Sequence, residues 1–162
     1  MKKKKYIYAI TTGFILYIMF GTTSCFGPRV QLHELEIYKK EISKINRRWQ
    51  IAKSAFFSSE TEDVEEEEKE LKLYKLNTIE LFVLPKFFEI KASLENLNIQ
   101  DNELEKIHNY YIKTCNDYIN FFILVVEYLK SKDESKLELA NKSLESAENN
   151  LQKYKRLFKR IN

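Results

Sequence analysis

Apolar residues recur at steps of three and four positions along four stretches of the chain, which is the spacing that places side chains on one face of a helix. We refer to each such face as an apolar seam. The seams run from Leu35 to Phe56, from Leu73 to Leu97, from Leu104 to Leu129, and from Leu137 to Ile161. They predict four helices, at about residues 29–57, 69–97, 102–130 and 134–161.

The four seams differ in width and composition. Additional apolar residues flank the third seam, so we expect the third helix to be the most buried: Ile107, Ile112, Ile119, Phe121 and Val126. The second seam contains one charged residue, Glu80. The fourth contains Ala140 and Ala147, whose small side chains would let a neighbouring helix approach closely.

The breaks between the later helices are short and carry helix-capping residues. Asp101 is expected to cap the third helix, and Ser131 or Asp133 the fourth. Because short connections make neighbouring helices antiparallel, the sequence predicts an all-α, up-down-up-down four-helix bundle. Pro85 should kink or split the second helix, since it cannot donate to the carbonyl of Leu81. A sustained seam could also serve a coiled-coil oligomer.

Glycine usage supports the all-α prediction. The 3 glycines all precede Pro28, so the remainder of the chain lacks the residue that most easily adopts a positive φ. A sheet protein of this length would need several such residues in its turns. Helices are therefore favoured by elimination as well as by periodicity.

The first 25 residues have the order of an export signal. Four lysines at positions 2–5 precede an apolar run from Tyr6 to Phe20, and small residues follow up to Cys25. A helix of this run would be about 22 Å long, too short to cross a hydrocarbon core of about 30 Å comfortably. By the positive-inside rule the lysines stay in the cytoplasm, so the chain after Cys25 is expected on the extracytoplasmic side.

The segment Gly21, Thr22, Thr23, Ser24 and Cys25 resembles the lipobox of bacterial lipoproteins. The resemblance implies that residues 1–24 are a signal peptide, that Cys25 is acylated and becomes the mature N-terminus, and that residues 25–28 are a short tether to the bundle at 29–162. An uncleaved signal anchor and an ordinary secretory signal remain as alternatives. All three place the bundle outside the cytoplasmic membrane, and the lipid-anchored form is expected in the bacterial cell envelope.

Charge and cysteine content narrow the class of protein. The chain of 162 residues has a formal charge of +3, but residues 25–162 hold 23 basic and 24 acidic residues once the four N-terminal lysines are removed. A nucleic-acid partner is not expected, because the mature chain lacks the necessary positive charge. Only Cys25 and Cys115 occur, so acylation of Cys25 would leave no intrachain disulfide, and an apolar core must stabilise the domain.

Two charged segments are candidate contact surfaces. The acidic one lies in the connection between the first two helices: Glu60, Glu62, Asp63, Glu65, Glu66, Glu67 and Glu68. It lacks the spacing and central glycine of a calcium loop, and we interpret it mainly as a solvated connection. The basic one lies at the end of the chain, where it would face lipid head groups near the anchor or complement the helix C-terminus: Lys153, Lys155, Arg156, Lys159 and Arg160.

Residues for catalysis or metal binding are few. Glu105 and His108 form one Glu-x-x-His, the spacing that di-iron bundles repeat on two helices, but a second copy is missing. We therefore expect His108 to be a core histidine bonded to a tyrosine or a carboxylate. Cys115 is expected to be a small core residue, and Glu80 to be held by Tyr118 or a lysine. No metal, cofactor or enzymatic activity is predicted.

Exposed aromatic residues could provide a recognition surface. The candidates are Trp49, Tyr110, Phe121 and Tyr128, although most aromatic residues of a bundle belong to its core. The favoured function is interaction with an envelope or extracellular protein, or a structural role in the envelope. An immunity or exclusion lipoprotein at the cell surface and a small-ligand-binding bundle are the alternatives.

The lipid anchor is directly testable. Cells fed labelled fatty acid should label the wild-type protein, and Cys25→Ser should lose the label while the chain is still exported, because the other thiol is expected in the core. Equal label in both proteins would contradict the lipoprotein prediction.

Overall fold

The computed structural model describes residues 31–57 and 68–161, and within them the protein is an all-α bundle without strands. Its elements are α1 (Leu32–Phe57), α2 (Glu68–Thr78), a π-helical turn (Ile79–Val83), α3 (Leu84–Glu95), α4 (Asn102–Ser131) and α5 (Glu134–Ile161). The π-helical turn joins α2 to α3 without a break, and we refer to the three together as the second arm. The described residues thus form the four helical arms that the seams predict.

Pro85 changes the second arm without splitting it. The proline lies in the first turn of α3, directly after the π-helical turn, and the backbone at Val83 and Leu84 keeps helical φ and ψ. Leu84 donates its N–H to the carbonyl of Ile79, five residues earlier. In a π turn each carbonyl is bonded five rather than four residues later, so the helix continues past a residue that lacks an N–H.

The π-helical turn also corrects the predicted second seam. Ile79 is buried where the sequence pattern placed Glu80, and Leu73 is 57% exposed although it was expected in the core. A π turn rotates the chain less per residue than an α turn, so the residues before it are turned relative to those after it. The later seam residues Val83, Phe87, Ile90 and Leu94 are buried as predicted, whereas Leu76 and Leu97 are half-buried.

Aromatic side chains from three arms meet at the centre of the bundle. The Trp49 ring of α1 lies 4.9 Å from that of Phe87 on α3 and 5.1 Å from that of Tyr118 on α4, measured between centroids. Phe87 also packs against Phe122 at 5.1 Å. Edge and tilted contacts of this kind add to the free energy gained by removing the rings from water.

The third predicted helix is the most buried, as expected. Eleven residues of α4 are buried, more than on any other helix of the described residues. Helix α5 packs most extensively against α4, and Ala140 and Ala147 are fully buried there. Beside them Asp117 of α4 accepts hydrogen bonds from Ser146 at 2.7 Å and Asn150 at 2.9 Å.

The predicted caps are present and set the ends of the arms. Asp101 accepts from the N–H groups of Glu103 and Leu104, both at 2.9 Å, and Asp133 accepts from that of Ser135 at 3.0 Å. The turn before α5 places Lys132 at φ 61°, the one positive φ among the described residues. A helical bundle needs few residues with positive φ, whereas the turns of β-hairpins need several.

One end of the bundle brings together three parts of the chain. Glu34, near the start of α1, accepts hydrogen bonds from the N–H groups of Gln100 and Asp101, which precede α4. The Tyr38 ring of α1 lies 5.8 Å from that of Phe158 near the end of α5. We refer to this end as the N-terminal pole. An antiparallel four-helix topology predicts that these three parts of the chain lie at the same end.

Adjacent phenylalanines on α3 provide a matched test of the core. Phe87→Ala should lower the free energy of unfolding by about 3–5 kcal/mol, because Phe87 is 1% exposed and is surrounded by rings. Phe88→Ala should change it by about 0.5 kcal/mol or less, because Phe88 is 51% exposed. Urea unfolding followed by circular dichroism measures both. Losses of similar size would contradict the orientation of the second arm.

Candidate functional site

The second arm exposes a set of large apolar side chains that the bundle does not cover. Leu81 is 77% exposed, Leu73 57%, Phe88 51% and Phe82 37%, and Pro85 is exposed among them. We refer to these five residues as the outer stripe. Single exposed apolar residues are common, but a contiguous set on one element is typical of a contact surface.

The outer stripe exists because the second arm is apolar on two opposite faces. Leu81, Pro85 and Phe88 follow steps of four and three, so they share one face, while Val83 and Phe87 belong to the core face. A helix with one apolar face suffices for packing in a bundle. The second apolar face of this arm therefore needs another explanation.

The charged residues beside the outer stripe are paired with one another. Lys86 contacts Glu89 at 2.8 Å and Lys91 contacts Glu95 at 3.7 Å, each within one turn of α3. Such surface pairs contribute little stability. Their consequence is electrostatic, because the two pairs leave no net charge along this part of α3.

The aromatic residues proposed from the sequence do not form an exposed patch. Trp49 and Phe121 are buried, and Tyr110 and Tyr128 are half-buried. Lys113 and Lys153 lie over the Tyr110 ring, 5.5 and 5.8 Å from its centroid. The sequence does contain a signal for the outer stripe, since residues 79–90 include apolar side chains on every side of the helix.

His108 is a core residue, as predicted, and forms two hydrogen bonds. Its Nε2 lies 3.0 Å from the carbonyl oxygen of Leu94, and its Nδ1 lies 3.2 Å from the Tyr38 hydroxyl. Because a carbonyl only accepts, Nε2 carries the proton and Nδ1 accepts from Tyr38. The phenol of Tyr154 interacts electrostatically with that of Tyr38. We refer to Tyr154, Tyr38, His108 and the Leu94 carbonyl as the polar chain.

Burial favours the neutral form of each group in the polar chain. It lowers the pKa of His108, an effect only partly opposed by the hydrogen bond to Leu94. It raises the pKa of Tyr154 to about 12 and raises that of Tyr38 further, with Tyr154 adding to the shift. The arrangement is therefore one of neutral donors and acceptors, and its chemistry is that of a structural network.

The other residues considered for chemistry have separate surroundings. Glu105 is exposed, whereas His108 points into the core, and no group of three or more histidine, cysteine or acidic residues suited to a metal ion occurs in the described part of the chain. Glu80 pairs with Lys130, which confirms the expected lysine partner. Cys115 is fully buried with its Sγ 3.6 Å from the Phe87 carbonyl oxygen, and burial raises its pKa to about 12.

The charged candidate segments are described only in part. Cys25 and residues 60–67 lie outside the described residues, and Glu68 is the first residue of α2. The basic residues from Lys153 to Arg160 lie in the last turns of α5, at the N-terminal pole, and all are exposed except the half-buried Lys155. Burial lowers the pKa of Lys155.

A narrow cleft lies between α1, α4 and α5. Aromatic rings line it, with Lys53 and Glu148 beside them: Trp49, Phe56, Phe87, Tyr118, Phe121 and Phe122. Its volume of about 30 Å³ accommodates roughly one water molecule, whereas ligand pockets usually have volumes of about 300–1,000 Å³. This cleft gives no support to the small-ligand-binding alternative.

Comparison with known protein families, characterised proteins and solved structures finds no match. Among the helices of residues 31–57 and 68–161, none is both long enough and apolar enough to span a membrane.

The polar chain predicts how stability depends on pH. Because the folded protein favours neutral His108, the unfolded chain binds the proton first as pH falls below about 6.5, and the free energy of unfolding should decrease by up to about 1.4 kcal/mol per pH unit. His108→Gln should remove this contribution, whereas His33→Gln should keep it, since His33 is exposed and is the one other histidine. Urea unfolding between pH 7.5 and 5 measures it. Identical pH profiles for wild type and His108→Gln would contradict the assignment.

Proposed function

We propose that this protein is a lipid-anchored, extracytoplasmic helical bundle that binds another protein through the outer stripe. The anchor would be Cys25, as the lipobox resemblance implies. The binding surface is the apolar outer face of the second arm. The proposal assigns the protein a role in interaction or envelope structure and assigns it no chemical reaction.

The exposure of the outer stripe is the observation that supports the proposal. Leu81 and Phe88 remain more than half exposed, although the core face of the same arm is complete, with Ile79, Val83 and Phe87 almost inaccessible. Removing Leu81 and Phe88 from water would be favourable by about 25 cal/mol for each Å² covered. A partner that covers this face therefore gains free energy that the isolated bundle does not.

The N-terminal pole is consistent with attachment to a membrane. Helix α1 begins at Leu32, seven residues after Cys25, and the cations of α5 lie at the same end of the bundle. Anionic head groups would attract those cations by roughly 1 kcal/mol for each residue near the surface. The outer stripe belongs to a different arm and runs along the side of the bundle, where a neighbour in the envelope could reach it.

An immunity or exclusion lipoprotein is a more specific form of the same proposal. It would use the outer stripe to bind a toxin, phage or conjugation protein at the cell surface. No contact in the described residues favours that class over a resident envelope partner, so the identity of the bound protein decides between them.

The proposal is tested with a photo-crosslinking amino acid at position 81 in the full chain, expressed in its own membrane. A discrete crosslinked product is expected, because the side chain at position 81 would lie inside the covered surface. The same amino acid at position 139 is the matched control, since Leu139 is 45% exposed on α5. Products that are equal at both positions, or absent at both, would contradict a specific surface at the outer stripe.

A further inference from the structure

We propose that the partner of the outer stripe is a second copy of this chain, in a symmetric dimer whose second arms lie side by side and point the same way. This inference rests on the proposed interaction function and names the partner. It follows from the attachment geometry, from the charge at the border of the stripe, and from the size of the stripe.

Attachment restricts how two copies can meet. Cys25 and Leu32 are separated by seven residue steps, which reach at most about 25 Å, whereas the 26 residues of α1 are about 39 Å long. A lipid on Cys25 would therefore hold the N-terminal pole near the membrane. Two copies in one leaflet then stand in the same direction, and a twofold axis along the membrane normal relates them.

The outer stripe has the direction that such an axis requires. It runs along the second arm from Leu73 to Phe88, parallel to the long axis of the bundle. A twofold axis along the membrane normal places two such stripes face to face over their full length. A stripe that crossed the bundle would allow only a point contact.

Charge favours an identical copy over a lipid surface as the occupant. The Lys86–Glu89 and Lys91–Glu95 pairs balance the charge along α3, so a second copy meets no net charge on that part of the border. An anionic membrane surface would attract a helix whose apolar face is bordered by an excess of cations. The cations suited to that role lie instead at the end of α5, which packs mainly on α4.

The size of the stripe is suitable for the centre of a dimer interface. Two phenylalanines, two leucines and a proline form an apolar patch on the order of a few hundred Å², the size of the largest patch on a typical monomer. In a standard interface each partner contributes roughly 800 Å², with an apolar centre and a polar rim, and the stripe would be that apolar centre. Lys86 and Glu89 would then lie on the rim.

The parallel arrangement makes a prediction about register. In such a dimer Leu81 faces Leu81 of the other copy, and Phe88 faces its own counterpart. In an antiparallel dimer with its axis at Leu81, the two Phe88 positions would be about 21 Å apart, because they are seven residues from the axis at 1.5 Å each. A disulfide requires Cα atoms within about 7 Å.

Cysteine crosslinking of the full chain in its native membrane tests this register. Leu81→Cys and Phe88→Cys, each alone, should give disulfide-linked dimers on mild oxidation, and copies carrying two different tags should be joined. Leu139→Cys is the control for random encounter, and the wild-type chain is the control for disulfides formed by Cys25. Cys115 is buried and should not react.

Each outcome decides between occupants. Dimers at both 81 and 88, with at least a tenfold loss of co-isolation in Leu81→Asp but not in Leu139→Asp, would support the parallel dimer. Dimers at position 81 alone would overturn the parallel arrangement. A photo-crosslink from position 81 to a different protein or to lipid, without disulfide dimers, would overturn self-association. A crosslink to a different protein would still support the proposed interaction function. The absence of any product would overturn both proposals.

Discussion

The buried polar chain is the constraint that ties the four arms together. Tyr154 belongs to α5, Tyr38 to α1, His108 to α4, and the Leu94 carbonyl to α3. Apolar seams alone permit helices to slide and rotate, since one methyl group packs much like another. A buried donor without its acceptor is costly, so these four groups restrict the bundle to one relative placement of its arms.

Much of this arrangement could be predicted from the sequence, because it depends on local periodicity. The seams of α1, α4 and α5 are buried essentially as their spacing indicates, and Asp101 and Asp133 form the caps that their residue types favour. The core position of His108 also followed from its place in a seam. A tyrosine was predicted as one possible type of partner, but neither Tyr38 nor the Leu94 carbonyl was identified, since these groups lie 70 and 14 positions earlier in the chain. Periodicity carries no information about which arm faces which.

The second arm shows where periodic reasoning fails. The prediction assumed α-helical geometry up to a kink or break at Pro85, so it placed Leu73 and Glu80 on the core face. The π-helical turn accommodates the proline and rotates the preceding residues, which exchanges Glu80 for Ile79 in the core. The same assumption concealed the outer stripe, because a search for one apolar seam per helix stops once that seam is found. The excess of apolar residues from 79 to 90 was visible, but its meaning depends on which of them the bundle covers.

The two sides of the second arm have different roles, since the inner side is fixed by the polar chain and the core whereas the outer stripe is exposed. The Leu94 carbonyl near its end is held by His108, and Phe87 is enclosed by rings from α1 and α4, so the arm cannot rotate to bury its outer face. Leu81 and Phe88 are therefore exposed as a consequence of interactions that fix the opposite side of the same helix. A bundle with interchangeable apolar contacts could turn this arm inward at little cost. The rigidity of the core is what keeps the stripe available, and the same rigidity would lower the entropic cost of binding by presenting the five side chains in one fixed arrangement.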